Sequence, residues 1–315
     1  MNNNKTYAAI DIGSNAIRLL VKKERDNCQV GQKPLTKVLL LRIPLRLGFD
    51  VFASGKVPAV KAGKLVRAMK AFKQLMKVYE VEKFRACATS AMRDAANGKA
   101  VIDKVAKHTG INIEIIDGQE EASLVYNNHI ECMEDRRGNY IYVDVGGGST
   151  EVNLLNNGEL VFSKSYNIGT VRILSKADKA ETWQQLRNDM VYIAGKYPGI
   201  NIIGSGGNIN KLYRLATNKD KENLNMPVSS LQDIYKQLKF LTPRQRMDKF
   251  HLKADRADVI VPAAEVFLAI AESTGAKYVH VPVIGLADGI VDKLYAEDVE
   301  GEGGLKQNIC TSYSF

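Results

Sequence analysis

Apolar residues change their spacing along the chain, and the changes mark its elements. Apolar runs at Tyr7–Ile10 and Ala16–Val21 flank the polar turn Gly13-Ser14-Asn15, which predicts strand, tight turn, strand. Val38–Ile43 is expected to add the next strand of a meander. From Ala59 to Val78 the interval becomes three and four: Leu65, Met69, Phe72, Met76 and Tyr79 form one helical face. Lys61, Lys64, Arg67, Lys70, Lys73 and Lys77 fall elsewhere, and no acid occurs between Asp50 and Glu80. Those cations are either a solvated helix face or a surface that gathers an anionic chain. Further on, Lys83–Ala88 and Ile111–Ile116 read as strands and Ala100–His108 as a helix. Another helix is expected after Asp117-Gly118, running past Tyr126. This alternation is that of an α/β protein.

At Tyr140 the opening pattern returns. Ile141–Val145, Gly146-Gly147-Gly148-Ser149 and Thr150–Leu155 again read as strand, glycine turn, strand. Asp11 and Gly13 align with Asp144 and Gly146 at an offset of 133 residues, so the chain reads as an internal duplication. A third glycine cluster, Gly204-Ser205-Gly206-Gly207, follows the apolar pair Ile202-Ile203. Helices are expected at Ala257–Ser273 and Gly285–Tyr295, a strand at Tyr278–Val283, and a loose tail after Glu300.

Composition narrows the class. With 315 residues, 45% of them hydrophobic, the chain can bury one large core or two ordinary ones. The N-terminus has no signal-like apolar stretch and no run is long enough to span a membrane, so a cytoplasmic protein is expected. Cys28, Cys87, Cys132 and Cys310 are far apart and read as free thiols; His129 with Cys132 does not complete a zinc site. Residues 1–120 hold 22 Lys and Arg against 11 Asp and Glu, while residues 121–315 hold 22 against 24. The whole excess of +9 therefore lies in the first part, where its field attracts polyanions.

Turns without Cβ atoms let backbone N–H groups approach phosphate oxygens. Gly13-Ser14-Asn15, Gly146-Gly147-Gly148-Ser149 and Gly206-Gly207 are candidate phosphate cradles, and two of them facing each other would clamp one phosphate. Asp11 and Asp144, just before the first two turns, suit Mg²⁺, which takes oxygen ligands and bridges to substrate phosphates. A Walker pattern is absent, and the third cluster lacks the last glycine of G-x-G-x-x-G.

These blocks resemble the exopolyphosphatase and guanosine pentaphosphate phosphohydrolase family, of the acetate and sugar kinase, chaperone ATPase and actin superfamily. The resemblance runs along nearly the whole chain. It includes Asp11–Asn15, Arg46-Leu47-Gly48, Ala88–Ala95, Gly118–Ala122, Asp144–Glu151, Gly169–Arg172, Gly204–Gly207 and Arg256-Ala257-Asp258. It implies two actin-like (ribonuclease H-like) α/β domains with a cleft between them. Residues 1–120 would be the first and 121–295 the second, with residues 296–315 packing back on the first. It implies that Glu121 orients or deprotonates the attacking water, that Asp144 and Glu151 handle Mg²⁺ and the water, and that Arg93 holds substrate oxygens. Gly146, Gly147 and the Ser14-Asn15 turn would hold phosphate, and Glu120 stays structural.

The expected activity is Mg²⁺-dependent release of terminal phosphate from inorganic polyphosphate. Many members carry a further C-terminal domain where this chain ends at Phe315, which favours short chains as substrate. Ala263 and Ala287 depart from the glycine and arginine usual there. Guanosine pentaphosphate is the alternative substrate, and a phosphotransferase or chaperone-type ATPase a neighbouring class. A non-enzymatic polyphosphate or nucleotide binder is the reading of another kind. Nucleic acid is disfavoured because the aromatics of the lysine helix lie on its apolar face. A homodimer is implied by the resemblance alone.

Overall fold

The computed structural model describes residues 4–26, 34–130, 137–282 and 284–301. Its first half runs β1 (Thr6–Ile12), β2 (Ile17–Glu24), β3 (Leu35–Ile43), α1 (Leu47–Ser54), α2 (Ala59–Val78), β4 (Lys83–Ala88), α3 (Ser90–Asp94), α4 (Gly98–Thr109), β5 (Glu114–Ile115) and α5 (Gly118–Ile130). The second begins with β6 (Asn139–Val145), β7 (Thr150–Asn156), β8 (Glu159–Tyr166), α6 (Thr170–Leu174), α7 (Ala180–Lys196), β9 (Asn201–Ser205) and α8 (Gly207–Leu215). It ends with β10 (Asn225–Pro227), α9 (Val228–Lys239), α10 (Pro243–Phe250), α11 (Ala254–Ala257), α12 (Ile260–Thr274), β11 (Tyr278–His280) and α13 (Leu286–Gly301).

The strands make two sheets, ordered β3-β2-β1-β4-β5 and β10-β11-β9-β6-β7-β8. In each, an antiparallel three-strand meander continues into parallel strands. The strand after each glycine turn therefore has its counterpart in the other half, and the architecture is the two-domain α/β actin-like fold. Helix α2 covers the first sheet through Leu65, Met69, Phe72 and Met76, all buried, as its three-and-four spacing requires. Helix α12 is apolar nearly all round because it is the buried centre of the second core, and Ala263 is enclosed there.

Two expectations change. The strand expected over 111–116 shrinks to Glu114–Ile115, an edge strand paired only to Cys87 and Ala88. The helix expected over Ala257–Ser273 is split into α11 and α12. Pro262 explains the break: inside a continuous helix its ring would press on the carbonyl four residues earlier, whereas in the first turn of α12 it is tolerated.

A third cluster lies between the sheets, where Tyr7, Leu20, Tyr142 and Ile203 meet α5 and α13. Helix α13 leaves the second sheet and packs on β1, β2 and β4. Its Asp298 is buried against Lys5, Lys83 and Tyr7, whose hydroxyl donates to it at 2.7 Å. Those donors hold the Asp298 carboxyl well below the usual range, despite burial. A Cβ on Gly289 would sit 1.9 Å from the Leu124 carbonyl oxygen, so α5 and α13 can touch only through that glycine. Ala287 is buried in the same cluster. Cys87 is a buried free thiol; Cys28, Cys132, Cys310 and the tail after residue 301 lie outside the described residues. No helix among the described residues is long and apolar enough to cross a membrane.

Candidate active site

Parallel strands β1 and β4, and β6 and β9, end at the same side of their sheets, where the glycine turns of the two halves meet. In each hairpin the first glycine closes the turn: Gly13 N–H donates to Ala16 O at 3.1 Å and Gly146 N–H to Ser149 O at 3.0 Å. Those two amides serve the hairpins, while the amides at 14, 15, 147 and 148 make no backbone hydrogen bond. The turns also touch. A Cβ on Gly147 would lie 2.7 Å from Ser14 Cβ, and one on Gly148 would lie 2.4 Å from Ser90 Oγ. The glycines are thus needed where the halves are in contact. Ser14 and Ser90 hydroxyl oxygens lie 2.9 Å apart, and Ser14 Oγ accepts from Ala91 N–H at 3.1 Å. Arg172 fastens the same seam, donating to Gly148 O and pairing with Asp94 of the other half.

Beside this seam stand four carboxylates. Asp11, one residue before the end of β1, is 1% exposed; Glu151 on β7 is 2% exposed; Glu121, in the first turn of α5, is 8% exposed. Asp144 is one residue before the end of β6, and a Cβ on Gly206 would lie 2.8 Å from its Oδ1, so the third glycine cluster gives that carboxylate its room. Burial is the main cause that pushes the Asp144 carboxyl up to about 6, with Arg18 opposing and Asp11 adding to the rise. Burial, then Asp144, pushes Glu151 up to about 7, against hydrogen bonds from Ser149 and Ser165. Ser165 Oγ donates to Glu151 Oε1 at 2.9 Å. Glu121 is raised well above its ordinary value by burial, then by Glu151 and Asp144. Its Oε2 has no hydrogen-bond partner and lies 3.9 Å from Arg93 Nη1. Arg93 is itself held at the Ile116 carbonyl, 2.7 Å away. Glu120 faces away, paired with Arg85 at 2.7 Å.

Opposite the acids lies a group of arginines. Arg18 pairs with Asp11, its cross-strand neighbour. Arg256 fills the place of a side chain at Gly207, with Nη2 2.8 Å from the Cβ position, and donates to Asn208 Oδ1. Burial, then the nearby Arg42 and Arg18, lowers Arg256 to about 10, despite Asp255 and Asp258. Arg42 and Arg46 of the first half pair with Asp255 and Asp258 of the second. Asn15 Nδ2 donates to Asp255 O at 3.1 Å, leaving Asn15 Oδ1 buried without a donor.

The structure therefore brings Asp11, Glu121, Asp144, Glu151, Arg93 and all three glycine clusters to one place. Sequence reasoning gave no role to Arg18, Arg42, Arg256 or Ser165. Arg18 had a signal: it follows Asp11 by the interval at which Glu151 follows Asp144. For Arg42 and Ser165 no local pattern points to the site.

Among the described residues, no three His, Cys, Asp or Glu side chains gather closely enough to hold an ion alone. Mg²⁺, which keeps several waters and is held by one or two carboxylates plus substrate phosphates, does not require such a cluster. The unpartnered Glu121 oxygen and the raised Asp144 and Glu151 carboxyls show negative charge that the protein leaves uncompensated. The donor set fits a hard cation.

The sequence model of the Ppx/GppA phosphatase family matches residues 28–297. The chain belongs to this family. Membership of the Ppx/GppA family places it among phosphoanhydride hydrolases. Exopolyphosphatase 2 of Mycobacterium tuberculosis is 27% identical over 310 residues, covering 90% of this chain and 96% of that protein. The guanosine-5'-triphosphate,3'-diphosphate pyrophosphatase of Aeromonas hydrophila is 24% identical over 304 residues, 92% of this chain and 60% of that protein. A bifunctional 3-dehydroquinate synthase/phosphatase of Fusobacterium nucleatum is 35% identical over 179 residues, and the match spans 55% of this chain and 26% of that longer protein. Among solved structures, an exopolyphosphatase from Cytophaga hutchinsonii superposes with a TM-score of 0.79 at 19% identity, covering 93% of this chain and 98% of that one. That likeness concerns the fold.

Proposed function

We propose that the chain removes terminal phosphate from inorganic polyphosphate in the cleft between its halves, with Mg²⁺. One observation carries the reading: carboxylates raised by burial and by one another share the cleft with buried Arg256, which forms no ion pair among the described residues, so the acids want a cation and Arg256 an anion. A magnesium–phosphate pair supplies both. Asp144 and Glu151 would hold the ion, which when bound would offset charge on the transferring phosphoryl group. Asp11, tied to Arg18, would contribute through its field. Arg93, Arg18 and Arg256 would hold phosphate oxygens, helped by the amides at 14, 15, 147 and 148.

Glu121 would take the proton of the attacking water. Its raised affinity for protons makes it a better base than an ordinary glutamate. Water oxygen bonds to the terminal phosphorus, the bridging P–O bond breaks, and orthophosphate and a chain one unit shorter leave. Glu121→Gln should lower phosphate release from polyphosphate by about 10²–10⁴-fold with the fold intact. Equal release by wild type and variant would remove Glu121 from the reaction.

A second reading has a specific support. Asn15 Oδ1 and Asp258 Oδ1 are buried acceptors without donors, and polyphosphate offers few hydrogens. Guanosine pentaphosphate, whose ribose and base carry O–H and N–H groups, would satisfy them. Parallel kinetics on the two substrates, with Asn15→Ala, decides: a loss confined to the nucleotide favours this second substrate.

A further inference from the structure

We propose that the groove between α2 and α4 is a second polyanion site, which holds the distal part of a long polyphosphate chain while its end lies in the cleft. The ligand follows from the reading above; the residues are different ones. Helix α2 buries Leu65, Met69, Phe72 and Met76 and thereby turns Lys64, Arg67, Lys70 and Lys77 to the surface. The helix contains no acid at all. Like charges three and four residues apart destabilise a helix, and α2 has no acid of its own to offset them.

Lys70, Lys73 and Lys77 share the flank that faces α4. There they line a hollow of about 470 Å³ with Gln74, His108 and Thr109. The end of α4 alone would repel an anion, because its last carbonyls carry partial negative charge. Lys73 cancels this: its Nζ donates to Thr109 O at 2.6 Å, which also fixes a cation in the groove. Lys61, at the other end, is occupied by Leu45 O and by Asp50 at 3.5 Å. No Phe, Tyr or Trp lines the hollow, and Phe72 is wholly buried. A groove with cations and no stacking surface fits a bare phosphate chain better than a nucleic acid.

Position gives the groove its use. Lys61 lies at the cleft end of α2, since Leu45 precedes Arg46, whose N–H donates to Asn15 O in the first glycine turn. From Lys61 to Lys77 the helix rises about 24 Å. A short chain in the cleft cannot reach the groove, whereas a long one can occupy both. Tethering the two contacts then raises the affinity for long chains without a new contact in the cleft.

The test uses the full chain with Lys70 and Lys77 both changed to Gln, leaving Lys73 of α2 bound to the Thr109 carbonyl of α4. Binding of end-labelled long-chain polyphosphate is followed by fluorescence anisotropy, and phosphate release is measured on tripolyphosphate and on long chains. The double variant should weaken long-chain binding and raise the long-chain KM by about tenfold, with a shallower salt dependence. Tripolyphosphate turnover should stay within about twofold of wild type, because that chain does not reach the groove. The Lys70→Arg, Lys77→Arg double variant should restore long-chain binding. Unchanged long-chain binding in the Gln variant, or no rescue by Arg, would overturn the groove. Single-stranded RNA of equal phosphate number competing as strongly as polyphosphate would overturn the ligand class. If no polyphosphate of any length is hydrolysed, the proposed reaction fails, and the binding comparison still decides the groove.

Discussion

The hairpins β1–β2 and β6–β7 have the same backbone and opposite electrostatics. Each closes its turn through the first glycine N–H, and each carries an aspartate one residue before the end of its first strand. Across the ladder Asp11 faces Arg18, whereas Asp144 faces Glu151. The first pair neutralises itself on the spot. In the second, half-buried Asp144 stands beside buried Glu151, both are pushed up, and Glu121 arrives from α5 as a third. One residue of a duplicated hairpin thus divides the labour: the first half closes its own charge, and the second keeps a charge deficit that a cation can fill. The desolvation cost falls on the half that would hold the ion.

The largest blow to this contrast would come from Arg18→Met. It leaves Asp11 buried with its partner gone, and the chain should lose about 3 kcal/mol of stability at neutral pH by chemical denaturation. A loss under about 0.5 kcal/mol would mean that the Asp11–Arg18 pair is no more than a surface contact.

Next comes the pH response of the metal-free protein. Asp144 and Glu151 bind protons more tightly folded than unfolded, so their contribution is greatest below the ordinary carboxylate range. It is lost as pH rises through about 6 and about 7. Melting in EDTA should therefore show stability falling between about pH 4.5 and 7.5, by several kcal/mol. Glu151→Gln should flatten that slope and raise the melting temperature at neutral pH, while hydrolysis collapses. A variant less stable than wild type at pH 7.5 would show that Glu151 is held by compensating contacts.

The smallest effect sharpens the picture. Ser205 Oγ donates to Asp144 Oδ2 at only 3.4 Å, a poor hydrogen bond. Ser205→Ala should change stability by about 0.5 kcal/mol or less and raise the Mg²⁺ concentration for half-maximal activity only slightly. A tenfold change in Mg²⁺ requirement would reveal a much stronger tie to Asp144 than the geometry provides.

Much of this was readable residue by residue. The three-and-four spacing of Leu65, Met69, Phe72 and Met76 marks α2, and the strand expected over Lys83–Ala88 is β4, both at their observed bounds. The repeated D-x-G, 133 residues apart, announces two halves built alike, and the two sheets share their strand order. The break at Pro262 was missed because the apolar pattern continues through it. The arginines were missed for another reason: Arg42 on β3 and Arg256 in α11 become neighbours only when the halves meet.

Periodicity, turn chemistry and the duplicated aspartates are local, so sequence alone determined the elements, the two-part design and the pair Asp11 and Asp144, while Glu121 and Glu151 were implied only by the family resemblance. Which carboxylates carry uncompensated charge depends on burial and on partners far away in the chain. Only the folded protein could therefore separate Asp11, satisfied by Arg18, from Asp144, Glu151 and Glu121, which desolvation and mutual repulsion leave in want of a cation.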